Sequence, residues 1–511
     1  MAVLRIGAIM IAVLVVVFTA QVQALAPTSD SAPPDPNQLL QAFNAAWQAD
    51  DFAGATETGD QLIALPIFAA QADSLKYSVL SRLGYAHRRL DETELALSLW
   101  AQAETLTDRP AWLNYVRVYA YNTLEEWEQA FEHLVLLQAQ DDGMFDAIQL
   151  HIMFAIVDGL ESAGEPAHQR ELLELLLRAY DPESALASLD YARLRLARIH
   201  ARAGEMDAVL RLARQIDRAP ALGSIRTERL FEQLWSIDGF SQMTNLSAGL
   251  ESELAQAHAV AAAQTDQLEP LVSQVRILLA LDRGGEAEAL ARSADARLRA
   301  GEAFLDADEQ VPWLLNDWAY TLYSLGRIEE GNATLRRAGN LTEGGSPNVS
   351  QVINLAEMLI YQQRNAEALE VIAVMSERSA SPYGDMWAWE VQACAHHQLG
   401  EFDASAALLA NMAEHWADNP AAYQQGLTCA GTIDEAAALL IRRLEDPEHA
   451  PSALAALQRY QPAFTAPGMR LATEWAAQFD ALAERPDVAA ALQPVGRVEQ
   501  SEIVDAYWGK F

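Results

Sequence analysis

Few residues in this chain have types and spacing that invite chemistry. His396 and His397 are adjacent, and adjacent side chains on a helix point about 100° apart, so the pair does not converge on one metal ion. No HExxH and no Cys/His ligand spacing accompanies them, and neither a metal nor another cofactor is expected. There is no G-x-S-x-G, no phosphate-binding loop, no dinucleotide fingerprint and no Cys–His nucleophile pair. Acidic pairs are frequent, as 71 Asp and Glu in 511 residues make them. Cys394 and Cys429 are the only cysteines; they could form one disulfide, but the expected reading is two small buried apolar residues in successive helical segments. What remains is chemistry of recognition. Trp112, Tyr115 and Tyr119 fall at i, i+3, i+7, one stripe of a helix. Trp313, Asn316, Tyr320 and Tyr323 repeat the pattern, Trp387, Glu390, Cys394 and His397 repeat it in part, and Tyr85 with Arg88 fits an earlier segment.

The elements that must carry these stripes are helix hairpins. Leu315, Trp318, Ala319 and Leu322 share one helix face, Leu325-Gly326-Arg327 interrupts it, and Gly331, Leu335 and Ala338 mark a second face. A hairpin of this kind cannot bury its apolar faces alone. Thirty-seven residues on, the positions recur: Ala319 maps to Ala356 and Ala393, Leu335 to Ile372 and Leu409, Gly331 to Ala368 and Ser405. Towards the N-terminus the spacing is 34, with Gly84, Ala96, Trp100 and Ala103 answered by Val118, Ala130, Leu134 and Leu137. Weaker units start near Ala42, Gly159, Leu196, Ile277 and Gly426.

These residues resemble the tetratricopeptide repeat family, a 34-residue helix hairpin with Leu-Gly, Ala, aromatic, Ala and a closing Pro at set places. Leu83-Gly84, Ala96, Trp100, Ala103 and Pro110 follow it closely; in the later unit Gly331 stands where the family has Ala. The resemblance covers residues 38–450 and implies an all-α, right-handed solenoid of stacked hairpins. It also implies a protein-binding role, with the first helices lining a concave groove. The expected groove residues are Tyr85, Arg88, Trp112, Tyr115, Tyr119, Trp313, Asn316, Tyr320, Tyr323, Trp387, Glu390 and His397. The alternative is that these rings pack between hairpins. Soluble lytic transglycosylases also carry an α-superhelix, but here Glu161-Ser162 lies mid-array without their Gly-Leu-Met-Gln segment. The 50 residues after Gln461 are too few for their catalytic domain. A non-enzymatic scaffold is the expectation.

Boundaries follow from pattern shifts. Residues 1–24 read as a signal peptide, with Arg5, an apolar run from Ile6 to Ala20 and small residues Val22-Gln23-Ala24 before the cut. An uncleaved inner-membrane anchor is the alternative; no cysteine near the cut permits a lipoprotein. A Pro-rich linker spans 25–37, repeats 38–216, an irregular helical segment 217–263, further repeats 264–450, and a helical cap with a tail 451–511. A periplasmic location follows from the leader. The net charge of -36 repels phosphate backbones and excludes nucleic acid as a partner. It favours a basic protein partner, possible contexts being secretion, polysaccharide export, outer-membrane assembly or TonB-type transduction.

Overall fold

The computed structural model describes residues 35–107, 111–140, 143–181, 186–343, 345–378 and 380–504. The expected leader at residues 1–24, Pro110 and the terminal Asp505–Phe511 lie outside the described residues. The chain divides into two compact units between Ala187 and Ser188. The boundary falls one hairpin earlier than the 216/217 shift in pattern. The reason is local: the helix Asp190–Arg202 packs on Ala219–Thr227 and on the 3-10 helix Arg229–Ser236, and so belongs to the second unit.

The first unit is built of hairpins: Pro36–Gln48 with Phe52–Ile63, Asp73–Arg89 with Thr93–Glu104, Ala111–Thr123 with Trp127–Ala139, and Leu150–Ser162 with Pro166–Ala179. Asp35 and Asp51 cap the first two helices, each carboxylate accepting from a backbone N–H at the helix start. Small residues set how closely paired helices approach. At Gly84 a Cβ would sit 2.4 Å from the Trp100 indole nitrogen, which donates to the Ser81 carbonyl at 3.0 Å. At Gly159 it would sit 2.1 Å from the Trp127 ring. The large residue of one helix thus fills the notch left by glycine on its partner.

The turn inside each hairpin is also shared. One residue adopts a left-handed conformation at Asp50, Asp91, Glu125, Gly164, Gly204, Asp282, Gly326, Gln363, Gly400 and Gly431. At Gly326, its own N–H donates to Tyr323 O (2.9 Å) and the next N–H, of Arg327, to Leu322 O (2.8 Å). That pair of bonds satisfies carbonyls the helix end leaves free.

The second unit continues the hairpins through Glu269–Ala280 with Gly284–Arg299, Ala307–Ser324 with Ile328–Gly339, Ser350–Tyr361 with Asn365–Ile372, Pro382–Gln398 with Phe402–Glu414, and Pro420–Cys429 with Ile433–Glu445. Between Ala219 and Ala263 the chain is irregular, with the 3-10 helix and the short helix Phe240–Met243 before Leu246–Ala263. Buried polar side chains tie successive first helices together. Arg276 Nε donates to Asp317 (3.0 Å), Asn316 to Asp317 (3.1 Å), and Asn354 to Asn316 (2.9 Å). Cys394 and Cys429 are bonded, their Cα atoms 5.7 Å apart. This corrects the expectation of two unpaired buried residues: the repeat brings equivalent faces of adjacent first helices to disulfide distance.

The C-terminal part does more than cap the last hairpin. After Ala450–Ala456 it forms a strand Arg459–Gln461, the helices Arg470–Ala483 and Pro486–Leu492, and a strand Gln500–Val504 pairing in parallel with the first. With the two-residue pair at 342–343 and 346–347, these are the strands among the described residues. This strap, residues 458–504, reaches back some 270 residues in sequence. Arg229 N–H donates to Val495 O (2.7 Å), Arg497 N–H to Thr227 O (2.9 Å), and the Arg226 guanidinium to Glu499 (2.7 Å). No helix among the described residues is long and apolar enough to cross a membrane.

Candidate functional site

In the first unit the expected stripe is a continuous run of rings. Trp47 meets Tyr85 at 5.6 Å, Tyr85 meets Trp112 at 5.9 Å, Trp112 stacks on Tyr115 at 5.6 Å, and Tyr115 meets Tyr119 at 5.2 Å. It crosses the first helices of three successive hairpins. Trp112 and Tyr115 are buried; Tyr85, Arg88 and Tyr119 keep part of their surface open. Tyr119 OH accepts from the Gln149 N–H at 3.3 Å. Burial, and then the bond to Tyr119, raises the Tyr115 pKa, so the Tyr115 hydroxyl stays neutral.

Arg88 lies 5.6 Å above the Tyr119 ring. Burial lowers its pKa, and the groups acting on its charge are Tyr85, Arg89, Tyr119 and Tyr115, with no carboxylate among them. Its Nε and the Trp112 indole nitrogen are buried and find no hydrogen-bond partner in the protein. The surface was expected to be acidic here, but the stripe itself carries a cation set among tyrosines. Trp47 was missed in the sequence; its place relative to Tyr85 carried the signal, one ring per first helix.

In the second unit the expected stripe separates into two roles. Tyr323 turns into its own hairpin: it is fully buried, it fills the notch at Gly331, and its hydroxyl donates to Asn332 at 2.9 Å. Asn316 is equally buried and belongs to the ladder with Asn354 and Asp317. These two are corrected from groove to core. Trp313, Tyr320, Trp387 and His397 are partly exposed, His397 with its ring 5.2 Å from Phe402. The equivalent positions Tyr320, Glu357, Cys394 and Gln425, each six residues before the turn residue of its hairpin, line one inner face.

That face is covered by the strap. Phe464 stacks on Tyr320 at 5.9 Å, and Trp475 meets Tyr361 edge-on at 5.4 Å. Leu471, Trp475, Phe479 and Leu482 are the buried side of the helix Arg470–Ala483, while Thr473, Glu474, Ala477 and Gln478 face outwards. Beneath it, Tyr361 OH donates to Glu357 (2.7 Å) and Gln425 Nε2 to the same oxygen (3.2 Å). Burial raises the pKa of Glu357 and lifts that of Glu390 well above the carboxylate range, Glu357 adding to the latter. Glu390 Oε1 lies 3.0 Å from Cys394 Sγ. A bonded sulfur has no hydrogen to give, so the protonated carboxyl is the donor in this contact. Both carboxyls of this face are thus pushed towards their neutral form.

Glu390, Cys394 and Cys429 cluster tightly enough to suggest ligands, but the disulfide occupies both sulfurs. The shared turn and the glycine–aromatic notches recur across both units. The fold is tetratricopeptide-like. No family model and no curated protein matches the sequence. Among solved structures, the chain is similar to a tetratricopeptide repeat protein from Parabacteroides merdae at 15% identity, covering 51% of this chain and 92% of that one, TM-score 0.25. It is similar to the APC/C hetero-tetramer Cut9–Hcn1 at 11% identity, covering 90% and 96%, TM-score 0.26. It is similar to yeast Tom70 at 12% identity, covering 83% and 84%, TM-score 0.27. The assignment of this tetratricopeptide-like fold rests on the chain's own hairpins.

Proposed function

We propose that the protein is a non-enzymatic protein–protein interaction scaffold of a cell-envelope complex, which holds a peptide or helix of its partner against the first-unit stripe. The observation that carries this reading is the ring path Trp47–Tyr85–Trp112–Tyr115–Tyr119 with the unpaired Arg88 Nε and Trp112 Nε1 beside it. Rings supply contact area at low entropic cost. A net charge of -36 would steer a basic chain towards the protein and make capture weaken with salt.

The test is crosslinked capture by the purified chain, against a Tyr85→Ala, Tyr119→Ala variant that changes the two partly open rings. Loss of the captured protein by about tenfold, with helicity retained in circular dichroism, supports the stripe. Equal capture by the variant removes it. Residues 1–24 would be cleaved on export, leaving a periplasmic chain; N-terminal sequencing that reads Leu25 first supports this. Reading Met1 or Ala2 instead supports a tethered adaptor.

A further inference from the structure

We propose that the inner face of the second unit, lined by Tyr320, Tyr361, Trp387, Glu390 and Gln425, is a docking surface for an amphipathic, aromatic-bearing helix of a partner protein, and that residues 464–483 hold it as a displaceable resident. The proposal rests on the scaffold reading only for the partner's being a protein. The surface itself is defined by the chain that now fills it.

Two observations point to this. The first is the kind of segment in place. Phe464, Leu471, Trp475 and Phe479 reach the first helices Ala307–Ser324, Ser350–Tyr361 and Pro420–Cys429 and the second helix Ile433–Glu445, so one short stretch crosses several repeats as a bound ligand would. Its apolar side is one helix face and its outer side is polar, as in a helix laid into a groove. The second is how incompletely it matches what it covers. Glu390 Oε2, Gln425 Oε1 and the Trp387 indole nitrogen are buried and have no hydrogen-bond partner in the protein. Trp387 packs against both apolar clusters to which the strap contributes. Interiors satisfy nine in ten such groups, and each one left unmade weakens the covered state. The resident supplies rings and methyl groups to a face that also asks for an acceptor for the Trp387 N–H and for donors to Glu390 Oε2 and Gln425 Oε1. A helix carrying an aromatic together with a side-chain amide or hydroxyl on its contact line meets all of these.

Hydrogen exchange on the full, unmodified chain tests displacement directly. The amides of Arg470–Ala483 should exchange at least about a hundredfold faster than those of Ser350–Tyr361, because the segment opens while the hairpins stay folded. Equal protection of the two helices would overturn the proposal, since the segment would then be core. The second measurement uses a fluorescein-labelled peptide of residues 464–483 added to the full chain and to its Leu471→Ala, Trp475→Ala variant. The tethered segment competes at high effective concentration, so the peptide should bind the variant at least about tenfold more tightly than the parent, and a Trp475→Ala peptide should not. Equal or absent binding to a variant with unchanged helicity also overturns it. Should that variant not fold, the exchange experiment alone decides. Opening and peptide binding would uphold this surface even where the Tyr85→Ala, Tyr119→Ala variant captures its partner normally, so the two readings fail separately.

Discussion

In the first unit the rings of Tyr85 and Tyr119 reach solvent along the first-helix face. In the second, the corresponding face lies under the chain's own returning segment, Phe464 on Tyr320 and Trp475 on Tyr361. Both faces are built on the same hairpin, with the same left-handed turn and the same small-residue notches. They differ in what the chain later returns to place on them, and in the charge that results. The first keeps a guanidinium without a carboxylate partner; the second keeps two carboxyls pushed towards their neutral form. The hairpin fixes where a groove lies, and the side chains on it decide whether it stays open.

The largest expected contrast is between two tryptophans. Trp100 is fully buried inside a first-unit hairpin, so Trp100→Ala should cost about 4 kcal/mol of folding stability. Trp475→Ala removes as large a ring from the strap, but its cost is limited to the free energy of local opening, and the hairpins should keep their helicity. Urea denaturation followed by circular dichroism measures both. Equal losses of global stability would erase the distinction drawn between core and strap.

Acid separates the units next. Burial lowers the His133 pKa to about 4, and its Nδ1 lies 2.9 Å from Asn114 Oδ1. An unfolded chain takes up that proton near 6.5, before the folded one does. Stability present above about pH 6.5 is therefore lost as pH falls towards 4, by about 3 kcal/mol at most. His133→Gln should flatten this part of the melting-temperature profile; an unchanged slope would place the acid sensitivity elsewhere.

The second unit carries the opposite dependence. Glu390 holds its proton to higher pH when folded, so the unfolded chain releases it first and stability falls as pH rises above the ordinary glutamate range. Glu390→Gln keeps the shape without the charge. It should raise stability at pH 7 and leave it unchanged near pH 4. Gln425 and Glu357 stay in place in both forms, so the thermal melts compare like with like.

What the sequence made legible was whatever has a local period. Ala319, Leu322, Leu335 and Ala338 stand on the expected faces and are all buried. The strap was not legible: Phe464 against Tyr320 and Trp475 against Tyr361 join residues more than a hundred positions apart, and no spacing announces such pairs. The first-unit stripe could be read as residues but not as a path, because rings that stack and rings that merely fill a core share the same i, i+3, i+7 pattern. The disulfide escaped for a similar reason, since bonded and free buried cysteines occupy the same apolar setting.

The turns supply the smallest effect and the finest test of the repeat. Glycine at 326 and 400 has φ of 74° and 79°, and Gln363, midway between them at 37 residues from each, has φ of 60°. Glycine announces this conformation in a sequence and glutamine does not, yet the bonds are the same: Gln363 N–H donates to Ile360 O at 2.8 Å and Arg364 N–H to Leu359 O at 2.9 Å. A side chain in this region crowds the following carbonyl by about 1–2 kcal/mol, and glycine gives back part of that through its freer unfolded chain. Gln363→Gly should therefore stabilise the second unit by about 0.5–1 kcal/mol, read as a higher urea midpoint with an unchanged slope. A loss of stability instead would mean that the Gln363 side chain contributes a contact that outweighs its backbone strain, and the turn would then not be interchangeable between repeats.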